Sequence, residues 1–417
     1  MTAAAASDVL GSADAPPRPA LREPRFLRYL GGQSVSQMGN QVWSVTLAWS
    51  AVHLASPGVA GVMLTLSSLP RLFLMLFGGV LADRYSIRRL MIGSDILRTL
   101  IALGAAGIAL LHPGLVLLAV LALTFGVVDS VFLPSAGAMQ PRLLKPEQYS
   151  GAAIISNTVA RVALSIGAPL GGVLVAFGGV PLALAVDAGT FAVSVITLAT
   201  VRPRPLAAQD ATKPKDPYWA DFRAGIVFLV RHPLLFPLTL AILVTNAGIV
   251  GPMNIGMAEL STIRGWGAAG IGLLLTGFGL GAATGSLLMI RLRIRRHAGT
   301  WLAIFGTVQA AAVFSTALEH DLAFAVVGTA LAGLCSGPMA VIGSVLSQAN
   351  TPDEFRGRVS SVTTLIVLGL IPVASAATGL CVAVFGLTAT YAVCAGIEAS
   401  VLLTLFAPAF RSATIAS

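Results

Sequence analysis

Charged residues are scarce in this chain of 417 residues: only 10% are Asp, Glu, Lys or Arg, whereas 56% are hydrophobic. A soluble protein carries about 25% charged residues, so this chain has too few to cover a surface that faces water. Its apolar residues come instead in long runs, and about 20 helical residues cross the roughly 30 Å hydrocarbon core of a bilayer. The composition therefore predicts a polytopic membrane protein.

Cysteine, lysine and the signatures of common catalytic sites are also scarce or absent. Cys335, Cys381 and Cys394 all lie in apolar runs, so the sequence predicts neither a disulfide framework nor a cysteine metal site. No lysine stands in a GxxxxGK[ST] loop, and the chain contains no HExxH and no GxSxG. We therefore expect no enzyme activity, no metal and no bound cofactor.

The apolar runs number twelve when the chain is divided at charged clusters, prolines and short polar stretches. Each run is expected to be helical, because an open strand would leave unpaired backbone groups in lipid. The predicted fold is an all-α membrane protein with twelve transmembrane helices. The predicted spans are 29–51, 59–82, 90–111, 114–138, 150–177, 181–200, 233–259, 268–290, 300–318, 322–348, 359–384 and 388–408.

Lysine and arginine are distributed unevenly among the predicted loops. With the N-terminus inside the cell, 22 of the 26 basic residues fall in cytoplasmic segments, and only Arg264 falls outside. Cytoplasmic loops of membrane proteins carry this excess of positive charge. Both termini are therefore predicted to be cytoplasmic, and the net charge of +9 does not require a nucleic-acid partner.

A loop rich in proline and charge divides the predicted spans six and six. A weak repeat supports this division, since Ile166–Gly178 and Ala374–Gly386 share four residues at a shift of 208. Duplicated halves predict a site between them. The predicted parts are a cytoplasmic tail (1–28), an N-terminal six-helix half (29–200), a cytoplasmic linker (201–231), a C-terminal six-helix half (232–410) and a second tail (411–417).

The loop after the second span reads GVLADRYSIRR and resembles the GxLaDrxGrr signature of the major facilitator superfamily. The matching residues include Gly79, Asp83, Arg84 and Arg88. The resemblance implies two pseudo-symmetric six-helix halves and a conformational latch at this loop. Asp95 and Arg98 follow on the next span, and their spacing of three places them on one helix face, where a structural role beside Asp83 is expected.

A second stretch, GAPLGG, resembles the GPxxGG element in the fifth span of exporters of this superfamily. Gly167, Pro169, Gly171 and Gly172 carry this resemblance. Further stretches resemble the branch of enterobactin exporters and macrolide-efflux-like proteins. These stretches are Phe26–Trp49, Asp83–Leu90, Asp95–Arg98 and Asp353–Ser361. The resemblance implies export from the cytoplasmic membrane of a bacterium.

Charges inside spans are functional candidates, because each is costly in lipid unless it is paired or hydrated. Asp129 and Arg161 lie sixteen residues either side of Lys145, which predicts an ion pair at equal depth, either structural or part of a substrate or proton pathway. Arg71 lies near the middle of the membrane. It should either attract an anionic substrate or pair with an acid such as Asp187.

Two acids and several uncharged side chains complete the candidate pathway. Asp187 and Glu398 lie in the last spans of the two halves, where they either titrate in proton antiport or are satisfied by packing. The polar candidates either contact the ligand or hydrogen-bond between helices. They are Gln33, Gln37, Asn40, Trp43, Asn246 and Asn254.

The sequence thus predicts a monomeric secondary transporter in the bacterial inner membrane, surrounded by lipid, that exports a small amphipathic molecule by alternating access. With no nucleotide site, the expected energy source is the proton gradient. The resemblance favours a siderophore or an antibiotic-like compound, and Arg71 favours the siderophore. The alternatives are a multidrug or macrolide-type efflux pump and, more remotely, a membrane-embedded enzyme or a non-transporting sensor.

Overall fold

A computed structural model of the chain describes residues 22–55, 57–84, 86–112, 114–145, 148–203, 218–292 and 297–414, and for some helical residues in these ranges it describes the backbone alone. The described residues form helices and short connections, and no strand occurs among them. The all-helical prediction is confirmed for this part of the chain.

The helices are numbered here in chain order. They are α1 (Pro24–Leu54), α2 (Pro57–Arg84), α3 (Ile87–Leu111), α4 (Leu115–Met139), α5 (Tyr149–Thr200), α6 (Tyr218–Arg231), α7 (Leu235–Gly251), α8 (Met257–Ile263), α9 (Gly267–Leu292), α10 (Ala298–Leu318), α11 (Leu322–Ala349), α12 (Asp353–Phe385), α13 (Leu387–Ala399) and α14 (Pro408–Arg411). Short 3-10 helices occupy Gln140–Arg142 and Ser400–Phe406, and a π-helical turn, Pro252–Gly256, joins α7 to α8.

Nine segments within the described ranges are long and apolar enough to cross a membrane. They are Ile87–Leu111, Leu115–Met139, Val162–Thr200, Leu235–Ile263, Gly267–Met289, Ala298–Leu318, Leu322–Ala349, Arg358–Phe385 and Leu387–Phe406. These segments establish a multi-pass membrane protein. The count of twelve spans and their division into two halves stay predictions.

Helix α5 changes direction inside its length. Its 52 residues would extend roughly 78 Å if straight, more than twice the thickness of a hydrocarbon core. Gly179 breaks the helix with φ 63° and ψ −162°, a conformation that glycine adopts without a Cβ clash. The break falls between the predicted fifth and sixth spans, so the backbone of one glycine separates them.

Buried apolar side chains form several separate cores. One core lies between α1, α3, α4 and α5 and contains Phe26, Met91 and Met139. Another lies among α7, α10 and α11 and contains Leu302 and Leu346. Helix α2 packs on α4 and α12, and α5 packs on α1, α3 and α9. The pairs α2–α12 and α5–α9 therefore join helices from the first part of the chain to helices from the second.

Small residues bring α2 close to α12 and α5 close to α9. Thr65 Oγ1 donates hydrogen bonds to the carbonyl oxygens of Gly61 (2.8 Å) and of Pro372 on α12 (2.9 Å). At Gly172 of α5, an added Cβ would lie 3.1 Å from the Cα of Ala269 on α9. These contacts lie near the start of α2 and α9, near the break in α5 and in the second half of α12. We call the two contacts the small-residue seams.

Glycines also bring α9 and α11 together. The sequence GFGLG in α9 superficially matches a dinucleotide-binding loop, but its glycines at intervals of four predict a packing face instead. The structure confirms this packing face. A Cβ at Gly281 would overlap the carbonyl oxygen of Ala330, and a Cβ at Gly333 would overlap that of Phe278.

Part of the predicted linker is helical and packed. Helix α6 lies against the start of α12, where the rings of Phe228 and Phe355 stack with centroids 4.5 Å apart. His232 follows α6, and its Nδ1 accepts hydrogen bonds from the backbone N–H groups of Leu234 (3.3 Å) and Leu235 (3.2 Å) at the start of α7. Burial lowers the pKa of His232, which favours the neutral imidazole that this acceptor role requires. Residues 204–217 of the linker lie outside the described residues.

Candidate functional site

Three helices, α2, α3 and α4, are joined by a network of ion pairs centred on Asp129 of α4. Arg98 of α3 donates from Nη1 to Asp95 Oδ1 (3.2 Å) and from Nη2 to Asp129 Oδ1. Arg71 of α2 donates from Nη2 to Asp129 Oδ2 (2.5 Å). Both oxygens of Asp129 therefore accept from arginines, and two formal positive charges face two formal negative charges.

Arg98, which contacts both acids of this network, is almost completely buried. The Arg98 side chain is 1% exposed, and that of Asp95 is 0% exposed. The guanidinium carbon of Arg98 lies 4.3 Å from the ring centroid of Phe132 and 5.3 Å from that of Phe191. Aromatic faces attract a cation, so these rings replace part of the hydration that Arg98 lacks.

The other side of the network faces an open cavity. The side chains of Arg71 and Asp129 are 36% and 13% exposed, and both line a cavity of about 340 Å³ that we call the arginine cavity. Trp43 forms part of its wall and meets Phe125 edge to face, with ring centroids 5.3 Å apart. Seven of the residues predicted for the substrate or proton pathway line this one cavity, and Arg98 of the predicted latch lines it as well. The seven are Gln33, Gln37, Asn40, Trp43, Arg71, Asp129 and Asn254.

The partner of Arg71 differs from the acid that the sequence suggested. Arg71 pairs with Asp129 rather than with Asp187. The reason is helix packing: α2 lies against α4, whereas Asp187 is buried against α1, where a Cβ at Gly39 would overlap its Oδ1. Asp187 instead approaches Thr190, whose Oγ1 lies 3.4 Å from Asp187 Oδ1.

The predicted pair of Asp129 and Arg161 stays a prediction, because the side chain of Arg161 lies outside the described part of the structure. The sequence reasoning missed the contacts of Asp129 with Arg71 and Arg98. A depth count shows only that the three side chains lie at similar levels and does not say which helices are neighbours. Arg98 is eleven residues after the start of α3, Asp129 is ten before the end of α4, and Arg71 is thirteen before the end of α2. These three helix ends lie on the same side of the bundle, so each residue is roughly 15–20 Å from that side.

A double-mutant cycle tests which arginine Asp129 contacts. Asp129→Asn and Arg71→Gln remove the same hydrogen bond, so we expect their losses of unfolding free energy to be coupled by about 0.5–3 kcal/mol. Asp129→Asn and Arg161→Gln should be coupled in the same range if the predicted pair also forms, and should add within about 0.5 kcal/mol if it does not. Denaturant unfolding of the purified variants supplies both values. Strong coupling to Arg161 with none to Arg71 would instead support the pair that the sequence predicts.

The loop signature is described only in part. Gly79, Asp83 and Arg84 belong to α2, and the side chains of Asp83 and Arg84 lie outside the described part of the structure. Arg88 of α3 donates from Nε to the carbonyl oxygen of Leu198 (3.0 Å) and from Nη2 to that of Ala199. These carbonyls belong to the last turn of α5, where a cation is favourable. Arg88 therefore ties the start of α3 to the end of α5.

The GAPLGG stretch of α5 lies where three helices meet. A Cβ added at Gly167 would lie 2.7 Å from the carbonyl oxygen of Met38 on α1. A Cβ added at Gly171 would lie 2.9 Å from the Cα of Val42 on the same helix. Gly172 faces α9, and Pro169 lies against Gly272 of that helix. The stretch thus lets α1 and α9 approach opposite sides of α5.

Glu398 and Asn246 lie away from the arginine cavity. Glu398 of α13 is fully buried against Gly248 of α7, and neither carboxylate oxygen has a hydrogen-bond partner among the described residues. Asn246 lines a second cavity between α7, α10 and α11. Within the described ranges, no group of three or more His, Cys, Asp or Glu side chains is placed to hold a metal.

The arginine cavity can recognise an anion by exchange of partners. Arg71 has one guanidinium nitrogen on Asp129, and more than a third of its side chain is open to the cavity. A carboxylate or an oxyanion entering the cavity can accept charge-assisted hydrogen bonds from this arginine. Asp129 keeps its contact with Arg98 if Arg71 turns towards such a ligand.

Comparisons with known proteins match this chain to a family of membrane transporters. A model of the Major Facilitator Superfamily matches residues 29–266. The chain is 27% identical over 374 residues to an uncharacterised MFS-type transporter, YfiS, of Bacillus subtilis, covering 83% of this chain and 85% of that protein. It is 29% identical over 315 residues to the enterobactin exporter EntS of Salmonella typhimurium, covering 73% and 72%.

Solved structures share the fold at low sequence identity. The nucleoside transporter NupG superposes with a TM-score of 0.65 at 14% identity, covering 93% of this chain and 99% of that one. A bacterial homolog of the human lysosomal transporter Spinster, in an inward-facing and unoccupied conformation, superposes with a TM-score of 0.67 at 16% identity, covering 93% and 96%. These similarities show a transporter fold.

Proposed function

Because this chain belongs to the major facilitator superfamily, we propose that it is a secondary active exporter of a small amphipathic molecule with anionic or metal-chelating oxygens. It is a membrane transporter and not an enzyme. A siderophore is the proposed substrate class, and movement from the cytoplasm to the outside is the proposed direction.

The exposed face of Arg71 is the observation that carries this proposal. Its guanidinium lies at the wall of the arginine cavity, beside the amphipathic ring of Trp43 and the amides of Gln37 and Asn40. Such a wall supplies one cation, uncharged hydrogen-bonding groups and an aromatic surface. A hydrophobic cation, the usual substrate of a multidrug pump, would meet an acid that is already bonded to two arginines.

The relatives support export of a chelating molecule. Enterobactin is the compound named for the 29% identical exporters, which this chain matches over 73% of its length. The GAPLGG stretch, which resembles the exporter element, lies in the contact of α5 with α1 and α9. The first observation favours a siderophore-like ligand, and the second favours outward transport.

We further propose the twelve-span, two-half arrangement for alternating access. Helices α1 and α2 add two spans to the nine apolar segments. The twelfth span arises because Gly179 divides α5 into two spans, one before and one after this residue. The small-residue seams would close the extracellular side, with both termini in the cytoplasm. In that orientation the arginine cavity serves the cytoplasmic side.

Proton antiport is the proposed source of energy. The sequence contains no nucleotide-binding loop, and the cavity and its surroundings hold carboxyl groups. Asp129 faces the arginine cavity. Asp187 of α5 and Glu398 of α13 are fully buried. Exchange of a proton for the substrate would use one of these acids.

Export of enterobactin from cells that lack their own enterobactin exporter tests the proposal. Production of this chain is expected to restore enterobactin in the medium, measured by chromatography. Arg71→Gln should lower the export rate by roughly 10-fold to 100-fold, because a hydrogen bond to a charged group contributes about 1.5–3 kcal/mol.

The control is Arg231→Gln at the exposed end of α6, which should leave export unchanged at equal membrane abundance. Normal export by the Arg71→Gln protein would contradict the role of the cavity. Export of hydrophobic cations without enterobactin would favour the multidrug alternative.

A further inference from the structure

A second cavity lies between α7, α10 and α11, apart from the arginine cavity. Its volume is about 250 Å³. Apolar side chains, including Ile242, Ile249 and Met339, form most of its wall. The polar lining residues are Thr245, Asn246, Gln309, Ser336 and Ser344. We call it the glutamine cavity after Gln309.

Gln309 is the informative residue of this lining. It is 2% exposed, and its Oε1 has no hydrogen-bond partner among the described residues. A buried polar atom without a partner costs about 1–3 kcal/mol. A ligand that donates a hydrogen bond at this position would remove that cost.

Two neighbouring polar groups donate to backbone carbonyl oxygens of their own helix. Asn246 donates from Nδ2 to the carbonyl oxygen of Ile242 (2.8 Å), and Thr245 donates from Oγ1 to that of Ala241 (2.8 Å). The Asn246 side-chain oxygen and a lone pair of the Thr245 hydroxyl remain as acceptors, and Asn246 also keeps a second N–H. The glutamine cavity is therefore suited to a ligand group that supplies N–H or O–H donors.

None of the described residues that line the glutamine cavity is charged. The contrast with the arginine cavity follows the helix positions. Arg98 and Gln309 are each the twelfth residue of their helices, α3 and α10. Asp129 and Ser336 are each the fifteenth residue of α4 and α11. Neutral side chains thus stand in α10 and α11 where α3 and α4 carry the ion pair.

The two cavities adjoin one stretch of chain. Ile249 of α7 lines the glutamine cavity, and Asn254 of the following π-helical turn lines the arginine cavity. Five residues span roughly 8 Å along a helix. A molecule with two dissimilar ends can therefore meet both sets of side chains on this one segment.

We propose that the glutamine cavity is a binding site for an uncharged, hydrogen-bond-donating group, such as an amide N–H or a hydroxyl, of the transported molecule. Arg71 holds the anionic end of the same molecule. This inference rests on the proposed export function and extends it, because it defines the substrate as a molecule with one anionic end and one neutral donor end.

Two small probes separate the sites. Benzamide is neutral and donates through its N–H groups, whereas benzoate has the same ring and is an anion without donors. Titration calorimetry of the purified full-length protein should give about a 10-fold weaker benzamide affinity in Gln309→Leu, because one hydrogen bond is lost. Benzoate affinity should change by no more than about twofold. Arg71→Gln should show the opposite pattern.

Two further variants guard the interpretation. Ser336→Leu fills the glutamine cavity and should abolish benzamide binding while benzoate still binds. Thr307→Val is the control on α10: its hydroxyl donates to the carbonyl oxygen of Ala303, outside the lining, and both affinities should remain normal.

The proposal is overturned if benzamide does not bind the unmodified protein, if Gln309→Leu leaves benzamide affinity unchanged, or if each variant weakens both probes equally. These measurements need no transport. If enterobactin is not exported but the two probes behave as expected, the proposed substrate is wrong and the neutral binding site still stands. If enterobactin is exported but each variant affects both probes equally, the proposed substrate stands and the neutral binding site is wrong.

Discussion

Arg98→Gln is expected to remove most of the folded protein from the membrane. The substitution leaves Asp95 without a cation and leaves Asp129 with Arg71 alone. Loss of one partner from a buried ion pair costs about 3–5 kcal/mol, and the lost contacts with two aromatic rings add roughly 0.5–2 kcal/mol. The sum is a large share of the 5–15 kcal/mol that typically stabilises a folded protein.

The abundance of monodisperse protein after detergent extraction and its thermal unfolding midpoint measure this loss. Arg89→Gln is the matched control, because Arg89 lies on the same helix and is exposed. Combining Arg98→Gln with Asp95→Asn should recover part of the folded protein, since one stranded carboxylate is removed. Unchanged abundance and melting of the single variant would show that the network contributes little to stability.

Gly281→Leu is expected to separate α9 from α11. A Cβ at this position would overlap the Ala330 carbonyl oxygen and lie 2.9 Å from the backbone nitrogen of Leu334. Backbone atoms cannot turn aside as a side chain can, so the helices must move apart. Overpacking of this kind costs about 1–3 kcal/mol or more, and here it also opens the glycine contacts on either side.

The thermal unfolding midpoint and the yield of folded protein check this expectation. Gly104→Leu is the matched control: it is the same substitution within a membrane helix, at a position where an added Cβ meets no atom within 4 Å. We expect that variant to behave as the unmodified protein does. Equal behaviour of the two leucine variants would mean that α9 and α11 do not depend on close approach.

The sequence predicted the apolar membrane helices, because lipid imposes both length and apolar composition on a span, but it did not predict α6 within the linker. The small-residue face at Gly281 was predictable for a similar reason, since its period of four belongs to one helix. The break at Gly179 could be placed only approximately, because two glycines and Pro181 adjoin and the sequence does not say which residue takes a positive φ.

The partners of Asp129 were harder to predict. Counting outward from Lys145 compares depth across a single loop, and it therefore considers only Arg161 on the adjoining helix. Arg71 and Arg98 lie 58 and 31 residues away in the chain, and they become neighbours because α4 packs against α2 and α3. Helix neighbours are a tertiary property that depth alone does not supply.

The hydroxyl of Thr65 has one acceptor on its own helix, at Gly61, and one on α12, at Pro372. When this seam separates, the hydroxyl retains its intrahelical partner, so opening strands no donor in hydrocarbon. Separation of α2 from α12 then costs the loss of one shared hydrogen bond, about 1 kcal/mol, together with the van der Waals contacts between the small residues of the seam. At this residue, therefore, separation of α2 from α12 adds no cost for an unpaired hydroxyl beyond that lost contact.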